Sequence, residues 1–284
     1  MPTRKELSGL RTKLRVCVMA VVYGLVIAMV SANVWPLLLL KLGAPFAAVA
    51  EVIFLGLYLW WVGGGGPPAA WKSARAASFR SGKLTRTEWF WGLLAAIFFA
   101  IAVHASIAVL FRFVAFPTEE FRHGYNFSFV PTVPLRWLAV VLSAASAGIC
   151  EETGFRGYMQ HPIEERYGAN VAILVSSTFF MLVHLNKSWA TLGMVPIVVG
   201  AGVLLGRLAW ASRSLLPGMI GHILMDIGLF AYWWTGIAGN FTTRPVSETG
   251  VDRLFIFAIA IFAISLGIVL MAISKLRRES ALSA

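Results

Sequence analysis

The sequence has few charged residues and almost no cysteine. Only 13% of its 284 residues are Asp, Glu, Lys or Arg, whereas a soluble domain carries about 25%. Its two cysteines, Cys17 and Cys150, are far apart and indicate neither a disulfide framework nor a zinc cluster. A Gly-rich phosphate loop and an aromatic–basic platform are also missing, so nucleic acid is not an expected partner despite the net charge of +11. With 58% hydrophobic residues, this composition indicates an integral membrane protein.

Long apolar windows account for most of the chain. A window of about 20 apolar residues is long enough to cross roughly 30 Å of hydrocarbon. We therefore expect an all-α, polytopic membrane protein with about eight transmembrane helices, forming a single integral membrane domain over residues 1–284 within the lipid bilayer. The predicted spans are 16–34, 46–62, 89–111, 135–159, 169–186, 191–210, 215–236 and 254–274. Within the sixth, Gly202-x-x-x-Gly206 predicts a close approach between helices.

Basic residues are distributed unevenly between the two sides of this layout. Most of the 24 Lys and Arg residues lie in segments that eight spans place on the side of the two termini, which predicts cytoplasmic termini. The apolar run from about 16 to 40 favours a retained first span over a cleaved signal peptide. We expect the cell (inner) membrane of a prokaryote. The basic residues on the other side are Lys41, Arg112, Arg122, Arg136, Lys187, Arg244 and Arg253.

Six ionisable side chains lie inside or at the edges of the predicted spans four to seven. One ionised group at the bilayer centre costs about 2.5–3.5 kcal/mol, so these groups must face one another or a wet cavity. Counting the helical rise from the cytoplasmic ends, we expect such a cavity to open to the cytoplasm. The six residues are Glu151, Glu152, Arg156, His184, His222 and Asp226.

The first cluster contains two adjacent carboxylates. Glu152 and Arg156 are four residues apart, which on a helix predicts a buried ion pair. Glu151 points about 100° away from Glu152, so it is left without that pair and is available for other chemistry.

Two further clusters carry histidine. Phe180 and His184 are one helical turn apart, and His222 and Asp226 are an i, i+4 pair that also suits two metal ligands. A carboxylate with a histidine activates water as a general base, and a second histidine with a polar neighbour stabilises an oxyanion. These groups suffice for peptide hydrolysis without a covalent intermediate.

Three motifs occur in order on successive predicted helices. They are E-E-x-x-F-R-G (Glu151–Gly157), F-x-x-x-H (Phe180–His184) and H-x-x-x-D (His222–Asp226). Together they resemble the CPBP family of CAAX-protease and bacteriocin-processing enzymes, also called the ABI family, to which the Rce1-type CAAX prenyl endopeptidases belong. The resemblance covers residues 150–226, which would form the catalytic core.

The resemblance implies an eight-helix intramembrane protease of glutamate type, with no metal and no other cofactor. Its substrate would be a membrane-associated protein or peptide, including a prenylated CAAX-type chain. An ionised Asp226 cannot donate a hydrogen bond, so orienting His222 is an alternative role for it. The implied roles are water activation by Glu151 with help from His184, an oxyanion site at His222 and Asp226, and supporting positions at Glu152, Arg156 and Phe180.

Other functions remain open at this point. A zinc protease would use His184, His222 and a carboxylate as ligands, although no H-E-x-x-H helix exists. A thiol mechanism would use Cys150 with His184 as its base. A transporter, or a non-enzymatic partner such as an immunity protein, would also place ionisable groups inside the membrane.

Overall fold

A computed structural model describes residues 4–123, 127–185, 187, 193–242 and 244–282, with only the helical backbone given for 4–13 and 122–123. Within these ranges the chain is helical, and its only β pairing is an isolated bridge between Ser81 and Ser214. The helices are α1 (Arg4–Ala32), α2 (Val34–Leu42), α3 (Ala44–Val62), α4 (Lys72–Phe79), α5 (Arg86–Leu110), α6 (Thr118–His123), α7 (Val133–Glu152), α8 (His161–Tyr167), α9 (Ala169–His184), α10 (Met194–Ser212), α11 (Leu216–Gly228), α12 (Val246–Thr249) and α13 (Arg253–Leu282). A short 3₁₀ turn (Ala69–Trp71) precedes α4, and two π-helical segments, Thr153–Gln160 and Leu229–Trp234, extend α7 and α11.

Seven of the described helical stretches are long and apolar enough to cross a membrane. Helix α9, which matches the fifth predicted span, is apolar but has only 16 residues, or about 24 Å at 1.5 Å per residue. The all-α, polytopic fold is therefore confirmed, with one helix shorter than expected. Residue 186, at the end of the predicted fifth span, and residues 191–192, at the start of the predicted sixth span, lie outside the described residues. The seven stretches are Leu14–Leu42, Ala44–Val62, Arg86–Leu110, Val133–Tyr167, Met194–Ser212, Leu216–Trp234 and Arg253–Leu282.

The fourth span is longer than predicted because α7 continues through a π-helical segment into α8. This segment, Thr153–Gln160, begins directly after Glu152. A π-helical turn inside an α-helix is rare and is frequent at functional sites. Here it carries Arg156 and Gln160, both completely buried, to the neighbouring helix α10.

Glycines allow this segment to pack closely against its neighbours. The carbonyl groups of Gly202 and Gly206 on α10 accept hydrogen bonds from Arg156 Nη2 (3.2 Å) and Gln160 Nε2 (2.9 Å). The close approach predicted from Gly202-x-x-x-Gly206 is confirmed. On the other side, a Cβ atom on Gly154 would lie 2.5 Å from Ala28 Cβ on α1.

The bundle has two opposite ends. At one end, the last turn of α13 lies beside the first turn of α5, since Ser280 Oγ is 2.7 Å from Glu88 Oε1. At the other end, Arg112 after α5 pairs with Asp252 before α13 at 2.8 Å. We call the first the terminal end, because α1 begins and α13 ends there, and the second the distal end.

Asp252 also begins helix α13 at the distal end. Its Oδ1 accepts a hydrogen bond from the backbone N–H of Phe255 at 2.8 Å. That N–H, together with the Arg112 guanidinium, holds the pKa of Asp252 below its ordinary value. The start of α13 is thereby tied to the end of α5.

The close packing of the π-helical segment gives a prediction. The Gly154→Ala substitution should lower the free energy of unfolding by about 1–3 kcal/mol, since its new methyl group meets backbone and Cβ atoms that cannot rotate away. Unfolding of the purified protein in detergent measures this.

Gly56→Ala on α3 and Gly267→Ala on α13 are the matched controls, because a Cβ there meets nothing within 4 Å. Both should be neutral or stabilising by up to about 1 kcal/mol, since alanine favours a helix over glycine. An equal loss of stability in all three variants would contradict the close packing at Gly154.

Candidate active site

A buried ion pair lies at the junction of α7 and its π-helical extension. Arg156 Nη1 is 2.9 Å from Glu152 Oε1, and neither side chain is exposed. The pair predicted from the i, i+4 spacing is confirmed. Burial makes it necessary: removing one partner of such a pair leaves an uncompensated charge in a medium of low dielectric constant.

The same oxygen of Glu152 has a second partner on α11. His222 Nδ1 is 2.9 Å from Glu152 Oε1. Because an ionised carboxylate only accepts hydrogen bonds, Nδ1 is the donor. Glu152 thus connects the guanidinium of Arg156 to the imidazole of His222 and sets the direction of that ring. The spacing of the motifs gave no signal for this contact, since it joins residues 70 positions apart.

Gly218 leaves room for this carboxylate. It precedes His222 by one helical turn, and a Cβ atom built on it would be 3.2 Å from Glu152 Oε2. A residue with a side chain at this position would press against the carboxylate. Sequence reasoning missed Gly218, and only its i−4 spacing from His222 pointed to it.

Phe180 connects the charged residues to the second histidine. Its ring lies under the Arg156 guanidinium at 4.5 Å, and its centroid is 5.9 Å from that of His222 and 4.6 Å from that of His184. An aromatic face is a favourable neighbour for a desolvated guanidinium. Phe180 therefore fills the space between three of the candidate residues.

One cavity of about 680 Å³, including its opening, is lined by Glu151, His184, His222 and Asp226. His222 Nε2 faces Glu151 Oε2 at 4.0 Å and Asp226 Oδ2 at 3.5 Å. Glu152 and Arg156 do not line the cavity. The two adjacent glutamates therefore face different surroundings, as their angular separation on a helix predicts.

His184 enters the cavity from the last turn of α9. Its Nδ1 is 2.6 Å from the carbonyl oxygen of Phe180. With Nδ1 donating to that carbonyl, Nε2 is the nitrogen that accepts a proton. Counting residues from the helix ends places His184 deeper than the carboxylates. In the structure they meet because the fourth span continues to Tyr167 instead of ending at 159, which places Glu151 about as far from the end of α8 as His184 is from the start of α9.

The cavity extends from His222 towards the distal end of the bundle. Its outer lining includes Ile107 near the end of α5, Met194 at the start of α10, and Trp234 at the end of the α11 extension. Lys187, which is exposed, lies at its mouth. Counting the helical rise placed the opening on the side of the two termini, whereas these lining residues lie on the opposite side of His222.

The residues that a zinc site or a thiol mechanism would use can be located in the structure. Within the described ranges, no group of three His, Cys, Asp or Glu side chains is arranged to hold a metal ion. His222 uses Nδ1 to contact Glu152. Cys150 is completely buried in an apolar cluster with Leu55 and Tyr58 of α3 and does not line the cavity.

Comparison with protein-family models matches residues 131–228 to the family described as type II CAAX prenyl endopeptidase Rce1-like. Comparisons with curated proteins and with solved structures find no match. The matched residues begin just before α7 and end with α11, so they include all seven candidate side chains. The resemblance drawn from the three motifs is confirmed for this part of the chain.

The different surroundings of the two glutamates give a prediction on stability. Glu152→Gln should lower the free energy of unfolding by about 3–5 kcal/mol, because it leaves Arg156 buried without its counter-charge. Glu151→Gln should change it by less than about 1 kcal/mol, since Glu151 has no ion pair with Arg156. Denaturant unfolding in detergent measures both.

Glu151→Gln serves as the control, because it makes the same isosteric change at the adjacent position. Glu152→Gln combined with Arg156→Met should recover part of the lost stability, because the two residues interact directly. Equal effects of Glu151→Gln and Glu152→Gln on stability would contradict the claim that only Glu152 belongs to the buried ion pair.

Proposed function

We propose that the protein is a membrane endopeptidase, because residues 131–228 match the Rce1-like CAAX endopeptidase family, and that Glu151 activates the water that cleaves its substrate. The reaction would need no metal and no covalent intermediate. The observation that carries this proposal is that Glu151, His184, His222 and Asp226 line one cavity, while Glu152 and Arg156 neutralise each other behind it.

The surroundings of Glu151 suit a general base. Its Oε2 has no hydrogen-bond partner among the described residues and lies at the cavity wall. A water molecule between this oxygen and a substrate carbonyl would be within reach of both. His184 lines the same cavity, and its Nε2 would help to hold the water.

His222 suits the oxyanion site. Nδ1 is directed at Glu152, so in the doubly protonated ring Nε2–H is the donor that faces the cavity. A donor fixed in advance stabilises the charge that develops on the carbonyl oxygen. Asp226, 3.5 Å from Nε2, would orient this ring and accept rather than donate hydrogen bonds.

The reaction follows from these positions. Water attacks the carbonyl carbon while Glu151 takes one of its protons, and the carbonyl oxygen becomes an oxyanion near His222. The carbon–nitrogen bond then breaks, and the amine leaves with the proton held by Glu151. The products are a carboxylic acid and an amine, and Glu151 is again a carboxylate.

The charge of the two ends of the bundle indicates which side of the membrane the substrate approaches. Most Lys and Arg residues belong to segments at the terminal end, which under the positive-inside rule faces the cytoplasm. The cavity mouth at Lys187 lies at the distal end. We therefore infer that the substrate is a membrane-associated protein or peptide presented at the extracytoplasmic face.

Substitution of the proposed base tests the mechanism. Glu151→Gln should reduce kcat by about 10²–10⁴-fold, the usual contribution of a general base. The assay follows cleavage of an internally quenched farnesylated CAAX peptide and of its unprenylated counterpart by the purified protein in detergent.

Glu165→Gln is the control, since Glu165 is exposed and lies outside the cavity; it should retain full activity. A zinc chelator should leave the wild-type rate unchanged. Full activity in Glu151→Gln would disprove the proposed base, and activity lost to the chelator and restored by zinc would favour the zinc alternative.

The orientation of the cavity is tested by labelling single cysteines in intact bacterial cells. In a background with Cys17→Ala and Cys150→Ala, Lys187→Cys at the mouth should react with a membrane-impermeant maleimide added outside. Arg166→Cys, exposed at the end of α8, should react only after permeabilisation. The reverse pattern would place the mouth in the cytoplasm.

A further inference from the structure

A second cavity lies at the terminal end of the bundle, away from the candidate active site. It spans about 1080 Å³ including open solvent and is lined by three arginines, Arg80, Arg213 and Arg277, together with Glu164, His161 and Trp210. Arg80 lies in the connection between α4 and α5, and His161 begins α8. Trp210 lies in α10, Arg213 directly follows α10, and Arg277 lies in α13. We call this cavity the arginine pocket.

Two of the three arginines have a backbone conformation that side chains disfavour. Arg80 (φ 48°) and Arg213 (φ 52°) are the only described non-glycine residues with positive φ. Each left-handed residue is disfavoured by steric crowding of its Cβ atom. The two are held side by side, because Ser81 pairs with Ser214 and the N–H of Leu215 donates to the carbonyl of Arg80 at 3.2 Å. Backbone strain is concentrated at functional sites in proteins.

The pocket has more positive than negative charge. Arg80 forms an ion pair with Glu164 at 3.1 Å. Arg277 stacks over the ring of Trp210 at 4.2 Å, which orients its guanidinium without neutralising it. Arg213 is exposed and has no ion pair within the described ranges. Two of the guanidinium groups that line the pocket, those of Arg213 and Arg277, therefore have no ion pair within the described ranges.

The position of the pocket indicates the source of that anion. It lies where α8, α10 and α13 end, and Trp210 is a residue type enriched at the membrane–water interface. Arginine binds phosphate oxygens in a bidentate manner, and basic pockets between membrane helices bind anionic head groups. We propose that the arginine pocket binds the phosphate of an anionic phospholipid head group.

Lipid binding to the full-length protein in neutral detergent tests this proposal. In native mass spectrometry the wild type should bind phosphatidylglycerol more tightly than phosphatidylcholine, because the choline ammonium group of the latter offsets the charge of its phosphate. In the double variant Arg213→Gly/Arg277→Gln the apparent Kd should rise roughly tenfold or more, since two phosphate contacts are lost. Glycine is chosen at 213 because it adopts the left-handed conformation without strain, so the fold is preserved.

Arg166→Gln/Arg278→Gln is the matched control, because it removes two exposed basic residues of the same end that do not line the pocket. It should bind phosphatidylglycerol as the wild type does. An equal loss in both double variants would overturn the proposal, as general surface charge would then explain binding. Inorganic phosphate that displaces the lipid at equal concentration would also overturn it and identify a site for soluble anions.

Discussion

The carboxylate of Glu152, placed between a buried guanidinium and a buried imidazole, is the interaction on which the rest of the site depends. Arg156 and His222 approach the same oxygen from different helices, each at 2.9 Å. In a medium of low dielectric constant neither the anion nor the cation is tolerable alone. The contact between Glu152 and His222 joins the end of α7 to α11, and Glu151 and Asp226, which neighbour these two residues on their helices, line one cavity.

Much of the local structure serves to bring these charges together without water. The π-helical segment carries Arg156 towards α10, where the carbonyl of Gly202 accepts from its guanidinium. Gly154 allows α1 to pack against the segment from the other side, and Gly218 leaves space for the carboxylate. Close packing of small residues replaces the hydrophobic driving force that is absent between helices in lipid. Backbone contacts at small residues thus close part of the polar centre, and the ring of Phe180 covers the Arg156 guanidinium.

The two ends of the bundle differ in chemistry. The terminal end carries the arginine pocket and most of the basic segments, whereas the distal end carries the cavity mouth and the pair between Arg112 and Asp252. A protein that lies across a membrane needs such an asymmetry to hold one orientation. Because the orientation of the protein fixes the side of the membrane at which the cavity opens, it also restricts which substrate chains can reach Glu151.

Local patterns in the sequence were sufficient for the helices and for the Glu152–Arg156 pair, and they supplied the candidate residues. Hydropathy over about 20 residues predicts a membrane helix directly, and residues four apart on a helix are neighbours whatever surrounds it. The contact of Glu152 with His222, the early end of α9 and the direction of the cavity were decided only by the tertiary structure. Each depends on the relative heights at which helices pack, and that offset is set by contacts between residues far apart in the chain, which no local pattern contains.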